Sequence, residues 1–381
     1  MDLTASPAVA AVVLAAVAAV VAVPWTWDRW RRPRPARSAL VLLATTGVLL
    51  ATGAVVNRQA GFFPTVASLV SGQGASVTVG QDGVLAALPV SAAAPDLRLV
   101  QDRRLPGHGA VVRVQLTGAR TGLSRIGAVY LPAAYFDPAQ AQVRFPVVEV
   151  LSGSPGSPAQ TLHLLQLAET LDTSIAEHRA APMIAVVPDT NGSAVRDREC
   201  VDAAGGTPDE TYLTTDVQTF VGQRFRVQAP GRGWALLGTS TGGYCAVNLA
   251  LRHPEAYAAA ASLSGYFHAL TDVTTGDLFR GPALRQANDP TWRVQHLPLP
   301  PVALWLSAGT GEVRELTELR RFTAVLPVTA DLTTVVVLRA GHAFPAWSAV
   351  LPQALSWAAS RLPPPTAPQP LLPGQRSEGR L

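Results

Sequence analysis

Eight apolar runs of strand length dominate this chain: VVRVQL (111–116), GAVYLP (127–132), PVVEVL (146–151), MIAVVP (183–188), WALLG (234–238), AASLSG (260–265), VALWLS (302–307) and TVVVLR (334–339). From residue 146 onward, helical stretches separate most of them, at 158–180, 211–227, 241–254, 313–326 and 345–362. Strands alternating with helices predict a mainly parallel sheet covered on both faces. No helix lies between the first two runs, which predicts an antiparallel hairpin at one sheet edge. The expected class is α/β, with a ligand crevice at the carboxyl ends of the strands.

The stretch GTSTGG (238–243) lies where a strand passes into a helical pattern. Such a junction suits a nucleophile elbow, a tight turn that presents a serine hydroxyl at the sheet edge. Ser240 is the expected nucleophile, although a serine here can also simply cap the helix. Gly238 and Gly242 leave room for strand and helix to approach. A serine nucleophile needs a base. Of seven histidines, His342 follows the last strand in RAGHAF and is expected to reach the same edge. His163, His178, His253 and His296 carry no supporting signal, and His253 before Pro254 reads as a helix end. The third group should be a carboxylate between serine and histidine in chain order. Glu312, just beyond VALWLS in SAGTGE, fits. Glu315, Glu318 and Asp331 compete less well, the first two reading as solvated helix charges. A developing oxyanion needs two donors, and the backbone N–H groups of Thr241 and Ser154 are expected to supply them. Asp202, Asp216 and Tyr266 are possible substrate contacts. Asp216 reads better as an acid near a helix start, and Tyr266 either lines the pocket or packs.

Two uncharged runs, 8–23 and 39–56, flank a segment with five arginines: Arg29, Arg31, Arg32, Arg34 and Arg37. Each run is close to the roughly 20 residues a bilayer crossing needs. Arginine-rich short loops stay cytoplasmic, and Trp25, Trp27 and Trp30 suit an interface. The expectation is two spans, the arginine loop inside and everything after about residue 57 outside. The net charge of +4 falls to near neutral without those five arginines, and no lysine occurs. No nucleic-acid footprint is therefore expected. Cys200 and Cys245 have no metal-ligand spacing; they either bridge, as an exported domain permits, or sit as separate buried thiols. No metal or cofactor motif is visible, and none is expected. The expected organisation is a membrane anchor (1–57), a juxtamembrane connector with leading strands (58–105), a catalytic domain (106–362) and a disordered proline-rich tail (363–381).

Together, GTSTGGYCAVNLALRHP, TYLTTDVQTFVGQRFRV, FPVVEVLSGSPGSP, SAGTGE and RAGHAFPAWSAVLPQALSW resemble the putative esterase family of α/β-hydrolases over residues 106–362. That family includes the antigen 85 mycolyltransferases, esterase D and bacterial feruloyl and enterochelin esterases. The resemblance implies an α/β-hydrolase fold behind two transmembrane helices, in the manner of membrane-anchored actinobacterial esterases. It implies a serine, glutamate and histidine at Ser240, Glu312 and His342, with oxyanion donors at Thr241 and Ser154. In LSGSPGSP, Ser152 stands where the antigen 85 branch carries an acid, and no arginine follows. The expected function is a membrane-tethered, extracytoplasmic serine esterase acting on an ester or lipid-like small molecule. One alternative passes the acyl group to a sugar or lipid hydroxyl. Another is a non-catalytic envelope-binding module on a hydrolase fold.

Overall fold

The computed structural model describes residues 6–27, 34–60, 105–193 and 196–367. Most of the expected connector (58–105), the body of the arginine loop and the tail beyond 367 lie outside the described residues.

All eight apolar runs form strands: β1 (Ala110–Thr117), β2 (Ser124–Leu131), β3 (Val147–Leu151), β4 (Ile184–Val187), β5 (Gly231–Thr239), β6 (Tyr257–Leu263), β7 (Ala303–Gly309) and β8 (Leu332–Val337). They build one sheet in the order β1-β2-β4-β3-β5-β6-β7-β8. β1 and β2 pair antiparallel, and β2 is antiparallel to β4. From β4 to β8 every neighbour is parallel. β3, β4 and β7 are buried along their whole length, as parallel strands covered on both faces must be. Alternating side chains feed two cores. Trp234 and Leu236 of β5 pack with Tyr244 and Phe322 on one face, and Leu237 packs with Trp347 and Leu351 on the other.

Two expected helices differ in detail. The stretch 158–180 breaks into Pro158–Leu164 and Leu167–Ala176, because Gln166 takes a left-handed conformation at φ 50°. The stretch 211–227 is wound as a π-helix over Tyr212–Val217, between Asp209–Thr211 and Gln218–Arg224. Asp216 therefore lies inside this helix and not at its start. Its carboxylate accepts from the N–H groups of Arg120 and Thr121 and from the Thr121 hydroxyl, tying the helix to the β1–β2 turn. Residues 363–367, expected to be disordered, are docked instead: Thr366 exchanges two backbone hydrogen bonds with Arg144.

Residues 6–60 include two helices, Ser6–Trp27 and Arg34–Ala60, that pack on each other. Small residues meet between them. Ala16, Ala44 and Ala51 are buried, and a Cβ on Gly47 would lie 3.5 Å from Ala16 Cα. Leu14, Leu42, Leu43, Leu49 and Leu50 point outward and are exposed. The segment Ser38–Val55 is long and apolar enough to cross a membrane, whereas the apolar part of the first helix, Val9–Trp25, is shorter.

Candidate active site

The parallel strands deliver their carboxyl ends to one edge, where expected site residues gather together with Ser264, which is not among them. Ser154 comes after β3, Ser240 after β5, Ser264 after β6, Glu312 after β7 and His342 after β8. Ser240 opens the helix Thr241–Arg252 with φ 55° and ψ −123°. This is a strained backbone for a side-chain-bearing residue. Its N–H donates to Leu263 O at 2.9 Å, and its carbonyl accepts from Gly243 and Tyr244. The turn closes so tightly that a Cβ on Gly238 would lie 2.0 Å from Gly242 O, and one on Gly242 would lie 2.2 Å from Leu151 O. Any side chain at either position would force β3, β5 and the helix apart.

Ser240 Oγ lies 2.9 Å from His342 Nε2. His342 Nδ1 lies 2.7 Å from Glu312 Oε1. A carboxylate can only accept, so Nδ1 carries the proton and Nε2 is left to accept from the serine hydroxyl. Glu312 is buried, and its second oxygen, Oε2, accepts from the Ser264 hydroxyl at 2.8 Å and from the Gly309 N–H. Burial pushes the Glu312 pKa up, but the bonds from His342, Gly309 and Ser264 outweigh it and hold the carboxyl below its usual value. The loops carrying Glu312 and His342 are stitched together by Gly311 N–H to Ala340 O at 2.9 Å and Arg339 N–H to Thr310 Oγ1 at 2.8 Å.

Ser264 and Trp347 had no place in the sequence expectations. The Trp347 indole donates to Ser264 Oγ at 2.9 Å, and its ring stands edge-on to His342. An indole N–H can only donate, so Ser264 must accept there and spend its own proton on Glu312. The available signal was a serine directly after a strand end, as at Ser240. The competing groups are engaged elsewhere. Glu318 pairs with His268 at 2.7 Å, Asp331 with Arg361 at 2.8 Å, and His253 with Glu210 at 2.7 Å. Among the described residues, Glu312, Glu315 and His342 bring three potential metal-ligand atoms within 4.8 Å. Two of those residues already bond each other, so the site fits a hydrogen-bonded chain better than a cation.

On the other side of Ser240 runs the loop after β3. A Cβ on Gly153 would lie 3.2 Å from Ser240 Cβ, so Ser154 follows close to the elbow. The Thr241 N–H opens the helix, and its hydroxyl donates to Asp197 Oδ2 at 2.8 Å. Cys200 and Cys245 form a disulfide, both fully buried. Tyr266 is buried and donates to Glu199 Oε1 at 2.8 Å. Asp202 accepts from the Thr211 N–H and hydroxyl. Tyr266 and Asp202 thus hold neighbouring protein groups.

Comparison with known proteins agrees with this outline. A family model described as "Putative esterase" matches residues 118–358. An uncharacterized protein of Corynebacterium glutamicum is 28% identical over 268 residues, which is 66% of this chain and 62% of that protein. This chain therefore spans less than two thirds of that relative's length. Among solved structures, a ferulic acid esterase superposes with a TM-score of 0.58 at 20% identity, over 67% of this chain and 98% of its own. An S-formylglutathione hydrolase from Agrobacterium tumefaciens gives 0.57 at 20% identity, over 68% and 98%. MPT51 of Mycobacterium tuberculosis gives 0.54 at 16% identity, over 66% and 99%. These likenesses and the sheet order define an α/β-hydrolase fold.

Proposed function

The chain belongs to the Putative esterase family, and from that premise we propose that it is a hydrolase, a membrane-tethered serine esterase working through an acyl-enzyme on Ser240. The observation that carries this reading is the unbroken chain from Ser240 Oγ through His342 to Glu312, with links of 2.9 and 2.7 Å. His342 Nε2 takes the proton as Ser240 Oγ bonds to the ester carbonyl carbon. Glu312 holds the imidazole tautomer and stabilises the imidazolium that forms. The carbonyl oxygen becomes an oxyanion, which the N–H groups of Thr241 and Ser154 stabilise. The imidazolium returns its proton to the departing alkoxide, leaving an acyl group on Ser240. Water attacks that ester by the reverse proton path and releases the acid.

In this reading, residues 1–57 form the anchor, 58–105 the connector and 106–362 the catalytic domain. Support for the anchor comes from the helix pair itself. Small residues between helices and leucines outside are the arrangement expected of helices packing in lipid, and the arginine loop favours a turn on the cytoplasmic side.

The test uses the full chain in detergent with a fluorophosphonate probe and intact-mass measurement. A single adduct on Ser240, lost in Ser240→Ala together with p-nitrophenyl butyrate hydrolysis, is the expected result. A folded protein that takes no adduct, or a variant that still turns over ester, overturns the reading. Product analysis with and without a sugar acceptor separates hydrolysis from acyl transfer, because only transfer yields acylated sugar.

A further inference from the structure

Three of the four residues Asp197-Arg198-Glu199-Cys200 are fastened to the nucleophile elbow and its surroundings, yet the proposed chemistry uses none of them. Asp197 Oδ2 accepts from Thr241 Oγ1 at 2.8 Å. Glu199 accepts from the Tyr266 hydroxyl, and Tyr266 stacks on Tyr244 of the helix Thr241–Arg252. Cys200 is bonded to Cys245 of the same helix. Glu199 and Cys200 both take left-handed backbone, at φ 48° and 55°. Non-glycine residues keep such conformations only where the surroundings over-determine them. The segment is therefore clamped in place, and it presents one buried carboxyl to the start of the helix.

That carboxyl reaches further than Thr241. Its Oδ1 accepts from the Glu199 N–H at 3.1 Å. Burial opposes its ionised form, and the Ser154 hydroxyl is among the groups that favour it. Thr241 and Ser154 sit on different segments, one heading the helix after β5 and one on the loop after β3. Their N–H groups must converge on a single oxygen to stabilise it. The loop LSGSPGSP is built of small residues and has few side chains with which to hold its own shape. Thr241 is β-branched and stiff at its first torsion, so a grip on its hydroxyl also restrains its backbone.

We propose that Asp197 is a positioning residue of the oxyanion hole, its buried carboxyl holding the Thr241 hydroxyl so that the Thr241 backbone N–H keeps its spacing from that of Ser154. This rests on the assignment of Thr241 and Ser154 as oxyanion donors. A displacement of about 1 Å at such a site costs roughly 100-fold in rate. Losing the grip should act on the transition state, because no part of it touches the ground-state ester.

The full chain in detergent, assayed on p-nitrophenyl butyrate, decides the matter. Asp197→Ala is expected to lower kcat about 10- to 100-fold with KM changed less than about twofold. Asp197→Asn should recover only part of the loss, since its amide oxygen can still accept from Thr241 while its NH₂ then meets the Glu199 N–H. Thr241→Val keeps the N–H but removes the gripped hydroxyl, so it should lose a similar factor. The Asp197→Ala/Thr241→Val pair should be no worse than the poorer single variant, as residues acting through one contact are non-additive. Thermal melting and a thiol titration show whether each variant keeps its fold and disulfide. If Asp197→Ala does not fold, Thr241→Val carries the test: wild-type kcat there overturns the proposal, and a lowered kcat at constant KM supports it. A folded Asp197→Ala with wild-type kcat, a loss confined to KM, or additive losses also overturns it. Failure of the underlying esterase reading looks different, because then the wild-type chain shows no turnover that depends on Ser240.

Discussion

Glu312 illustrates how much of this site depends on a single side chain having two acceptor oxygens. Oε1 faces His342 Nδ1, and Oε2 faces the donors of Ser264 and Gly309. An amide cannot replace it, because one of its two positions becomes a donor. If the amide oxygen stays with His342, the NH₂ group meets the Gly309 N–H. If it turns, His342 loses its acceptor and the wrong tautomer becomes favoured. Glu312→Gln is accordingly expected to lower kcat about 10⁴-fold, as loss of the carboxylate does in serine hydrolase triads generally. KM should change little, and the melting temperature should fall modestly, because the isosteric amide leaves a buried donor facing a donor. Steady-state kinetics with a melting curve check this, and a variant retaining a tenth of wild-type kcat would remove Glu312 from the mechanism.

At the scale of elements, β3 carries an unusual passenger. Glu149 is fully buried in this central strand, where every other residue is apolar. Tyr257 donates to its Oε2 at 2.9 Å, and Oε1 has no partner among the described residues. Burial pushes its pKa up to about 8 against an ordinary 4.5, the Tyr257 bond opposing only part of the shift. Glu199 is pushed up to about 8 by the same cause. The folded protein therefore holds protons that the unfolded chain has released between pH 4.5 and about 8. With more protons bound to the native state, stability must fall as pH rises through that window. Urea unfolding at pH 5, 7 and 8.5 is expected to show this loss, with part of it removed in Glu149→Gln. An unchanged slope in the variant would mean that Glu149 ionises freely in the fold.

Across the whole molecule, the proposed two-span anchor and the buried disulfide lead to the same expected compartment. A Cys200–Cys245 bridge suits an oxidising space outside the cytoplasm. If both helices cross the bilayer, as proposed, the arginine-rich segment is expected on the cytoplasmic side and the catalytic domain on the other. Protease added to intact cells is expected to cut the catalytic domain while a tag inserted between residues 28 and 33 stays protected. The opposite pattern would overturn the topology. The two features are independent, since one is set by charge at residues 29–37 and the other by sulfur chemistry more than 150 residues later.

Local pattern alone determined the eight strands, the edge hairpin and the elbow serine, because each depends on short-range periodicity or on backbone shapes that glycine permits. Chain order and strand ends were enough to nominate Glu312 and His342 for the same edge. The π-wound stretch Tyr212–Val217 was not legible, because Asp216 is drawn to the β1–β2 turn by donors nearly a hundred residues away. Nor was the docking of Thr366, which needs an unpaired backbone at Arg144. Ser264, Trp347 and Asp197 stayed hidden for the same reason. Their side chains matter only through partners brought together by the order β3-β5-β6-β7-β8, and a hydrogen bond of about 2.8 Å between distant segments leaves no periodicity in a sequence.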